Sequence, residues 1–228
     1  MSSSTVDAVS FIRANTRVLA APLAPEIRLH LADEITPLWQ ATEETLARDQ
    51  LPPPYWAFAW AGGQALARHV LDHPDLVRGK SVLDFGAGCG LLALAAAKAD
   101  AAAVTAAEID PFAAAAIALN AALNGLDVKI ETADVIGRPG APWQVILVGD
   151  MCYERPLAER LTVWLRLMAA EGTLVLLGDP GRNYLPAEGL TALARYTVPT
   201  PLDLEDRATR EGVVWRLGSS TSPHADAK

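Results

Sequence analysis

Three observations predict an α/β fold, a mostly parallel sheet carrying helices on both faces. Between residues 61 and 180, short apolar runs alternate with alanine-rich helical stretches, and strands separated by helices pair in parallel. The run Val145–Gly149 (VILVG) is continuously apolar, the pattern of a strand buried on both faces. Glycines and acids gather directly after the predicted strands, at the edge where such sheets hold ligands.

Each element has a local reason. Residues 1–60 read as an N-terminal helical extension, interrupted by Pro22, Pro25, Pro37 and the run Pro52–Pro54. The core is assigned to residues 61–218. Within it, Ser81–Phe85 is a strand running into glycines, Leu91–Lys98 a helix and Ala103–Glu108 a second strand. Asp110 caps the next helix, Pro111 sits in its first turn and Asn124-Gly125 stops it. Val128–Glu131 and Val145–Gly149 are the third and fourth strands. Pro156–Ala170 is a helix closed by Gly172, and Thr173–Leu177 is the fifth strand. Residues 181–218 read as a helix followed by two strands. Residues 219–228 are small and polar, the pattern of a disordered tail.

Composition narrows the function classes. The 228 residues suit one domain with a small extension, and 51% hydrophobic content is enough for a sizeable core. A formal charge of −8 opposes non-specific nucleic-acid binding, which rests on basic surfaces. No apolar run reaches the length of a membrane span. The Ser-rich N-terminus lacks the long apolar stretch of a secretory signal. Cys89 and Cys152 form no disulfide framework, no spacing suggests a metal site, and the four histidines are scattered. Both cysteines read as small packing residues in a reducing compartment.

The most informative stretch is Asp84-Phe85-Gly86-Ala87-Gly88-Cys89-Gly90. A glycine loop between a strand and a helix lets backbone approach a ligand at a helix N-terminus, although tight strand–helix turns use glycine for shape alone. Glu108 ends the second strand, where a carboxylate can accept both ribose hydroxyls; a solvated strand-end charge is the plainer reading. Asp134 follows the third strand, near where an adenine amino group would lie; alternatively it is a turn residue or cap. Together the three favour a nucleoside cofactor. An acid two residues before the first glycine would repel a pyrophosphate and suits a cationic ligand, which argues against a nicotinamide dinucleotide.

This loop resembles that of the class I methyltransferases, which implies a Rossmann-like, seven-stranded, mostly parallel sheet and S-adenosyl-L-methionine as cofactor. By that likeness Asp84, Gly86 and Gly88 border the methionine part, Glu108 holds the ribose, and Asp134 with Val135 flanks the adenine. Two further stretches sharpen the resemblance. In PPPYWAFAWAGGQALARHVL (residues 52–71), Tyr55, Trp56, Phe58 and Trp60 crowd in front of a helix. Core packing accounts for some of these rings, and an aromatic face also attracts a sulfonium or an ammonium. Gly62 and Gly63 would let this wall lie close to the cofactor. In Gly149-Asp150-Met151-Cys152-Tyr153, an acid followed by two residues and then an aromatic resembles the signature of seven-strand lysine methyltransferases.

With FIRANTR, PEIRLHLADE and EIDPFAAAAIALNAALNG, these blocks are similar to the electron transfer flavoprotein β-subunit lysine methyltransferases over roughly residues 11–215. The resemblance implies a protein partner, the electron transfer flavoprotein β subunit, methylated on lysines of its recognition loop. Asp150 and Tyr153 would be catalytic, with Trp60 and Asp150 also beside the cofactor, and Tyr55, Trp56 and Tyr153 would contact substrate. Asp33 and Glu34 are candidate surface contacts, or simply a solvated helix face. The expected state is a monomer without nucleic-acid or membrane partners, cytoplasmic in a bacterium or in the mitochondrial matrix of a eukaryote. A methyltransferase acting on a ribosomal-protein lysine or small amine, and a non-catalytic cofactor-binding protein, are the alternatives.

Overall fold

The computed structural model describes residues 7–32, 53–138, 142–200 and 208–218. Helix α1 (Ala8–Asn15) starts at Asp7, whose carboxylate accepts from the backbone N–H of Ser10. Strands β1 (Arg17–Ala21) and β2 (Ala24–Leu31) then form an antiparallel hairpin. This corrects the helical reading of the N-terminal segment. Ile27, Leu29 and Leu31 are buried while Arg28 faces out, the two-residue period of a half-buried strand. The prolines that break a helix are compatible with this hairpin: Pro22 sits in the turn and Pro25 near the start of β2. Asp33 and Glu34, like the predicted tail at 219–228, lie outside the described residues.

A short 3-10 turn (Tyr55–Ala57) leads into α2 (Ala61–Asp72). Next come β3 (Ser81–Phe85), α3 (Leu91–Lys98), β4 (Ala103–Ala107), α4 (Pro111–Asn124), β5 (Lys129–Glu131), β6 (Val145–Gly149), α5 (Arg155–Ala170) and β7 (Leu174–Asp179). Strands β8 (Leu190–Pro199) and β9 (Thr209–Leu217) complete a seven-stranded sheet of order β5-β4-β3-β6-β7-β9-β8. The pairs from β5 to β7 are parallel, and β9 runs antiparallel to both its neighbours. The helix expected early in 181–218 is replaced by turns over 181–189, where Pro186 and Gly189 interrupt any helical run.

Successive strand residues feed two cores. Val82, Leu147, Leu176 and Val214 pack with α2 and α3, while Leu83, Ile146, Val175 and Leu177 pack with Leu161, Trp164, Leu165 and Met168 of α5. The sheet is therefore covered on both faces, as the all-apolar β6 requires. Asp110 and Gly125 bound α4 as expected: Asp110 accepts from the N–H of Phe112, and Gly125 adopts the left-handed conformation. The asparagines Asn120 and Asn124 dock the hairpin. Their side-chain oxygens accept from the N–H groups of His30 (2.7 Å) and Arg28 (2.9 Å), and the Asn124 amide donates back to the Arg28 carbonyl.

The chain leaves β3 toward β4 and β5, then returns to β6 on the other side of β3. That reversal opens a crevice beyond the carboxyl ends of β3 and β6.

Candidate functional site

At the end of β3, the glycine loop bends through left-handed backbone at Gly86 (φ 64°) and Gly88 (φ 52°), a region costly for residues with a Cβ. A Cβ at Gly86 would meet the Met151 sulfur at 2.4 Å, so this loop and the one after β6 are in close contact. Asp84 lies beneath the loop, 1% exposed. Its Oδ2 accepts from the N–H of Ala93 in the first turn of α3 (2.9 Å), and its Oδ1 is buried with no hydrogen-bond partner among the described residues. Burial pushes this carboxyl up to about 7, more than the Ala93 bond lowers it, and the nearby Glu108 adds to the rise.

Glu108, just past β4, ties the loop to the next crossover. One oxygen accepts from the N–H of Gly88 (3.0 Å) and the other from the N–H of Asp110 (3.1 Å). Each oxygen keeps further acceptor capacity. Asp134 is exposed, accepts from the N–H of Ile136 and pairs with Arg160 of α5 at 2.5 Å. Val135, next to it, is buried against the α5 side of the sheet.

Beyond β6 and β7 lies a charged cluster. Asp150 is 6% exposed and has a φ of 59°, rare for a residue with a side chain. Its Oδ2 accepts from the N–H of Gly63 at 2.7 Å, and its Oδ1 accepts from Nη2 (2.8 Å) and Nε (3.2 Å) of Arg182. Burial raises the Asp150 carboxyl to about 6, against the pull of Arg182 and Gly63, with Asp179 adding to the rise. Asp179 ends β7, and one of its oxygens accepts from the backbone N–H groups of Gly181 and Arg182, both at 2.7 Å. The glycines of α2 make this closeness possible. A Cβ on Gly62 would lie 2.2 Å from the Gly178 carbonyl oxygen and 2.7 Å from Asp150 Oδ2. Gly62 and Gly63 thus fit α2 to β7 and Asp150, where the sequence suggested room for an aromatic wall.

The aromatic residues divide. Tyr55 and Tyr153 are each 43% exposed, their rings 5.8 Å apart, and Tyr55 also meets Trp60 edge-on at 5.9 Å. The guanidinium of Arg182 lies 5.5 Å from the Trp60 ring centroid. Trp56 differs from its expected role as a substrate contact. It is 3% exposed and packs with Ile12, Phe58 and Phe112, because the 3-10 turn directs Tyr55 outward and its neighbour Trp56 inward. Cys89 and Cys152 are buried free thiols that burial pushes up to about 12, as packing residues should be. Among the described residues no group of His, Cys, Asp and Glu is placed to hold a metal, and no helix is long and apolar enough to cross a membrane.

The structure thus brings Tyr55, Trp60, Asp150 and Tyr153 together, and it brings Gly86, Gly88 and Glu108 together beside them. Asp134 and Val135 stand off toward α5. Sequence reasoning missed Arg182 and Asp179. Their one signal is Asp179-Pro180-Gly181-Arg182 directly after an apolar strand, the same strand-end position that singled out Asp150.

Comparison with known proteins agrees with this geometry. A family model of ribosomal protein L11 methyltransferases matches residues 65–148. The electron transfer flavoprotein beta subunit lysine methyltransferase of Rattus norvegicus is 40% identical over 213 residues, covering 90% of this chain and 82% of that protein. Its counterpart in Homo sapiens is 42% identical over 213 residues, covering 90% and 80%. Among solved structures, a Pyrococcus horikoshii protein described as an RNA methyltransferase superposes with a TM-score of 0.54 at 18% identity, covering 77% of this chain and 97% of the other. That likeness shows the fold, a seven-stranded, mostly parallel sheet with helices on both faces.

Proposed function

The chain belongs to the electron transfer flavoprotein β-subunit lysine methyltransferase family, and from that premise we propose that it transfers methyl groups from S-adenosylmethionine to lysines of the electron transfer flavoprotein β subunit. The observation that carries this reading is the cluster of Asp150, Tyr153, Tyr55 and Trp60 at the end of β6, next to the glycine loop and Glu108 at the ends of β3 and β4. One half suits a nucleoside and the other an amine.

The residues present fit the cofactor. The orphaned Asp84 Oδ1 is a buried acceptor that a cationic amino-acid group would satisfy. Glu108 has acceptor capacity left for ribose hydroxyls, and the glycines leave backbone accessible. Gly86 and Gly88 are assigned to the methionine side and Val135 to the adenine. Asp134 would have to share its carboxylate with Arg160 to reach the adenine amine. When bound, S-adenosylmethionine supplies an electrophilic methyl group on a sulfonium.

The chain's own residues then position the nucleophile. Trp60, Tyr55 and Tyr153 offer ring faces and edges along which a lysine stem can lie partly desolvated. A lysine has a reference pKa of about 10.4, and desolvation lowers it toward the neutral amine that can attack. Asp150 accepts hydrogen bonds from that amine and aligns its lone pair, and the proton leaves to water. Residues 61–218 are assigned to the transferase core and residues 1–60, including the hairpin, to substrate recognition. The working assignment is a monomer acting without nucleic acid, in the bacterial cytoplasm or, in a eukaryote, the mitochondrial matrix.

Incubation of the enzyme and radiolabelled S-adenosylmethionine with a cell extract, followed by mass spectrometry of the labelled band, tests the substrate. Label on lysines of the electron transfer flavoprotein β subunit is expected, and label only on other proteins overturns the assignment. Asp150→Asn should bind cofactor in calorimetry yet lose activity by about a hundredfold or more.

A further inference from the structure

We propose that Arg182 is a positioning residue that remains paired to Asp150 during turnover and cancels its charge, so that the acceptor lysine is received as a neutral amine. This deepens the proposed reaction and rests on Asp150 facing the substrate lysine.

The geometry starts with the pairing. Two guanidinium nitrogens of Arg182 reach the same Asp150 oxygen, at 2.8 and 3.2 Å, and the guanidinium also stands 5.5 Å from the Trp60 ring. Asp150 Oδ2, held by the Gly63 N–H at 2.7 Å, keeps a lone pair for the incoming amine. Arg182 is fixed at its backbone, because Asp179 binds both its N–H and that of Gly181. The pair is largely buried: Asp150 is enclosed and Arg182 has only its edge in solvent.

Energetics decide between a fixed partner and a placeholder that substrate displaces. Removing one member of a buried pair leaves an uncompensated charge, which costs several kcal/mol. A lysine ammonium could replace Arg182 on arrival, but it must then lose its proton to water before its lone pair attacks. At that moment Asp150 would stand buried and charged beside a neutral amine. With Arg182 in place the carboxylate stays balanced through the whole cycle. The lysine meets a pair of zero net charge, and neither attraction nor proton retention favours its ammonium form. An unpaired Asp150 would do the opposite and hold the proton on the very nitrogen that must give it up.

Among the described residues, the other titratable groups facing this pair do not supply the missing cation. They are Asp179 at the end of β7, Cys152 and Tyr153 after β6, and Tyr55, Glu108 and Glu154 around Tyr153. All are neutral or anionic, so Arg182 is the cation that the cluster depends on.

The test compares kcat against pH, from about 6.5 to 10.5, for wild type, Arg182→Lys and Arg182→Met on the β subunit, with cofactor binding and thermal unfolding measured for each. In Arg182→Met the pH at which kcat reaches half its plateau should rise by about one unit or more. The deficit at pH 7.5 would then be roughly tenfold, shrinking toward alkaline pH. Arg182→Lys, which keeps the charge but loses the fork, should restore the wild-type midpoint even with a lower plateau. Wild-type midpoints in both variants overturn the proposal. So does an Arg182→Met enzyme with a lower KM and an undiminished kcat, which would make Arg182 an obstructing cation. If Arg182→Met fails to fold, the Arg182→Asn and Arg182→Gln forms give the same charge deletion with a polar head, and their midpoints decide. A wild-type enzyme that leaves the β subunit unlabelled fails the substrate assignment instead and is recognised before any variant is made.

Discussion

At the scale of single residues, the site is dominated by carboxyls that burial holds above their ordinary range: Asp84 at about 7, and Asp110 and Asp150 at about 6. The sign of the consequence follows from proton counting. A group whose folded pKa lies above its unfolded value binds more protons when folded, so stability falls as pH rises through that interval and levels off above it. For Asp84 the interval runs from the ordinary 3.8 to about 7, a penalty on the order of 4 kcal/mol once the carboxyl is ionised. Urea unfolding of the cofactor-free protein should therefore give lower stability at pH 8 than at pH 5. In Asp84→Asn that difference should shrink, because the amide keeps an acceptor for the Ala93 N–H and has no charge to desolvate. An unchanged difference would mean that the penalty lies elsewhere.

At the scale of elements, the contact of α2 with the sheet is what fixes Asp150. Gly62 and Gly178 meet backbone to backbone, so closely that a Cβ on Gly178 would lie 2.0 Å from the Gly62 carbonyl oxygen. No side chain there can swing aside; the helix itself has to move. Gly178→Ala should cost roughly 1–3 kcal/mol or more in thermal or urea unfolding, as overpacking does. It should also lower activity beyond what stability explains, since moving α2 withdraws the Gly63 N–H from Asp150. Retention of full activity at reduced stability would separate the two effects and count against this role for the contact.

At the scale of the molecule, the formal charge of −8 gives a field that attracts cations. If the substrate presents lysines on a basic loop, part of the association is steered electrostatically, and the Debye length falls from about 10 Å at 0.1 M salt to about 3 Å at 1 M. Steady-state kinetics on the β subunit should show kcat/KM falling as ionic strength rises while kcat changes little. A salt-independent kcat/KM would place recognition in apolar contacts such as Tyr55 and Tyr153. The charge alone opposes non-specific binding to nucleic acid, and because Arg182 balances Asp150, steering of a basic loop falls to the surface charge as a whole.

The alternation of apolar runs and alanine-rich helices fixed the α/β class, the parallel core of the sheet and the strand ends where the site would lie. Those are local properties, set by the periodicity of burial and by caps such as Asp110 and Gly125. The hairpin at 17–31 was also written in the sequence, as the alternation Ile27, Leu29, Leu31, but the prolines drew attention to the wrong feature. What only the tertiary structure decided is which polar groups are dry and what they face. Trp56 and Tyr55 are adjacent in the chain, yet one is core and the other is exposed. Asp84 and Asp150 both sit at the carboxyl ends of strands, yet one is sealed under a loop with an orphaned oxygen and the other is bound to an arginine 32 residues away. Partnership across such distances depends on how helices and sheet pack, and packing is a property of the whole chain.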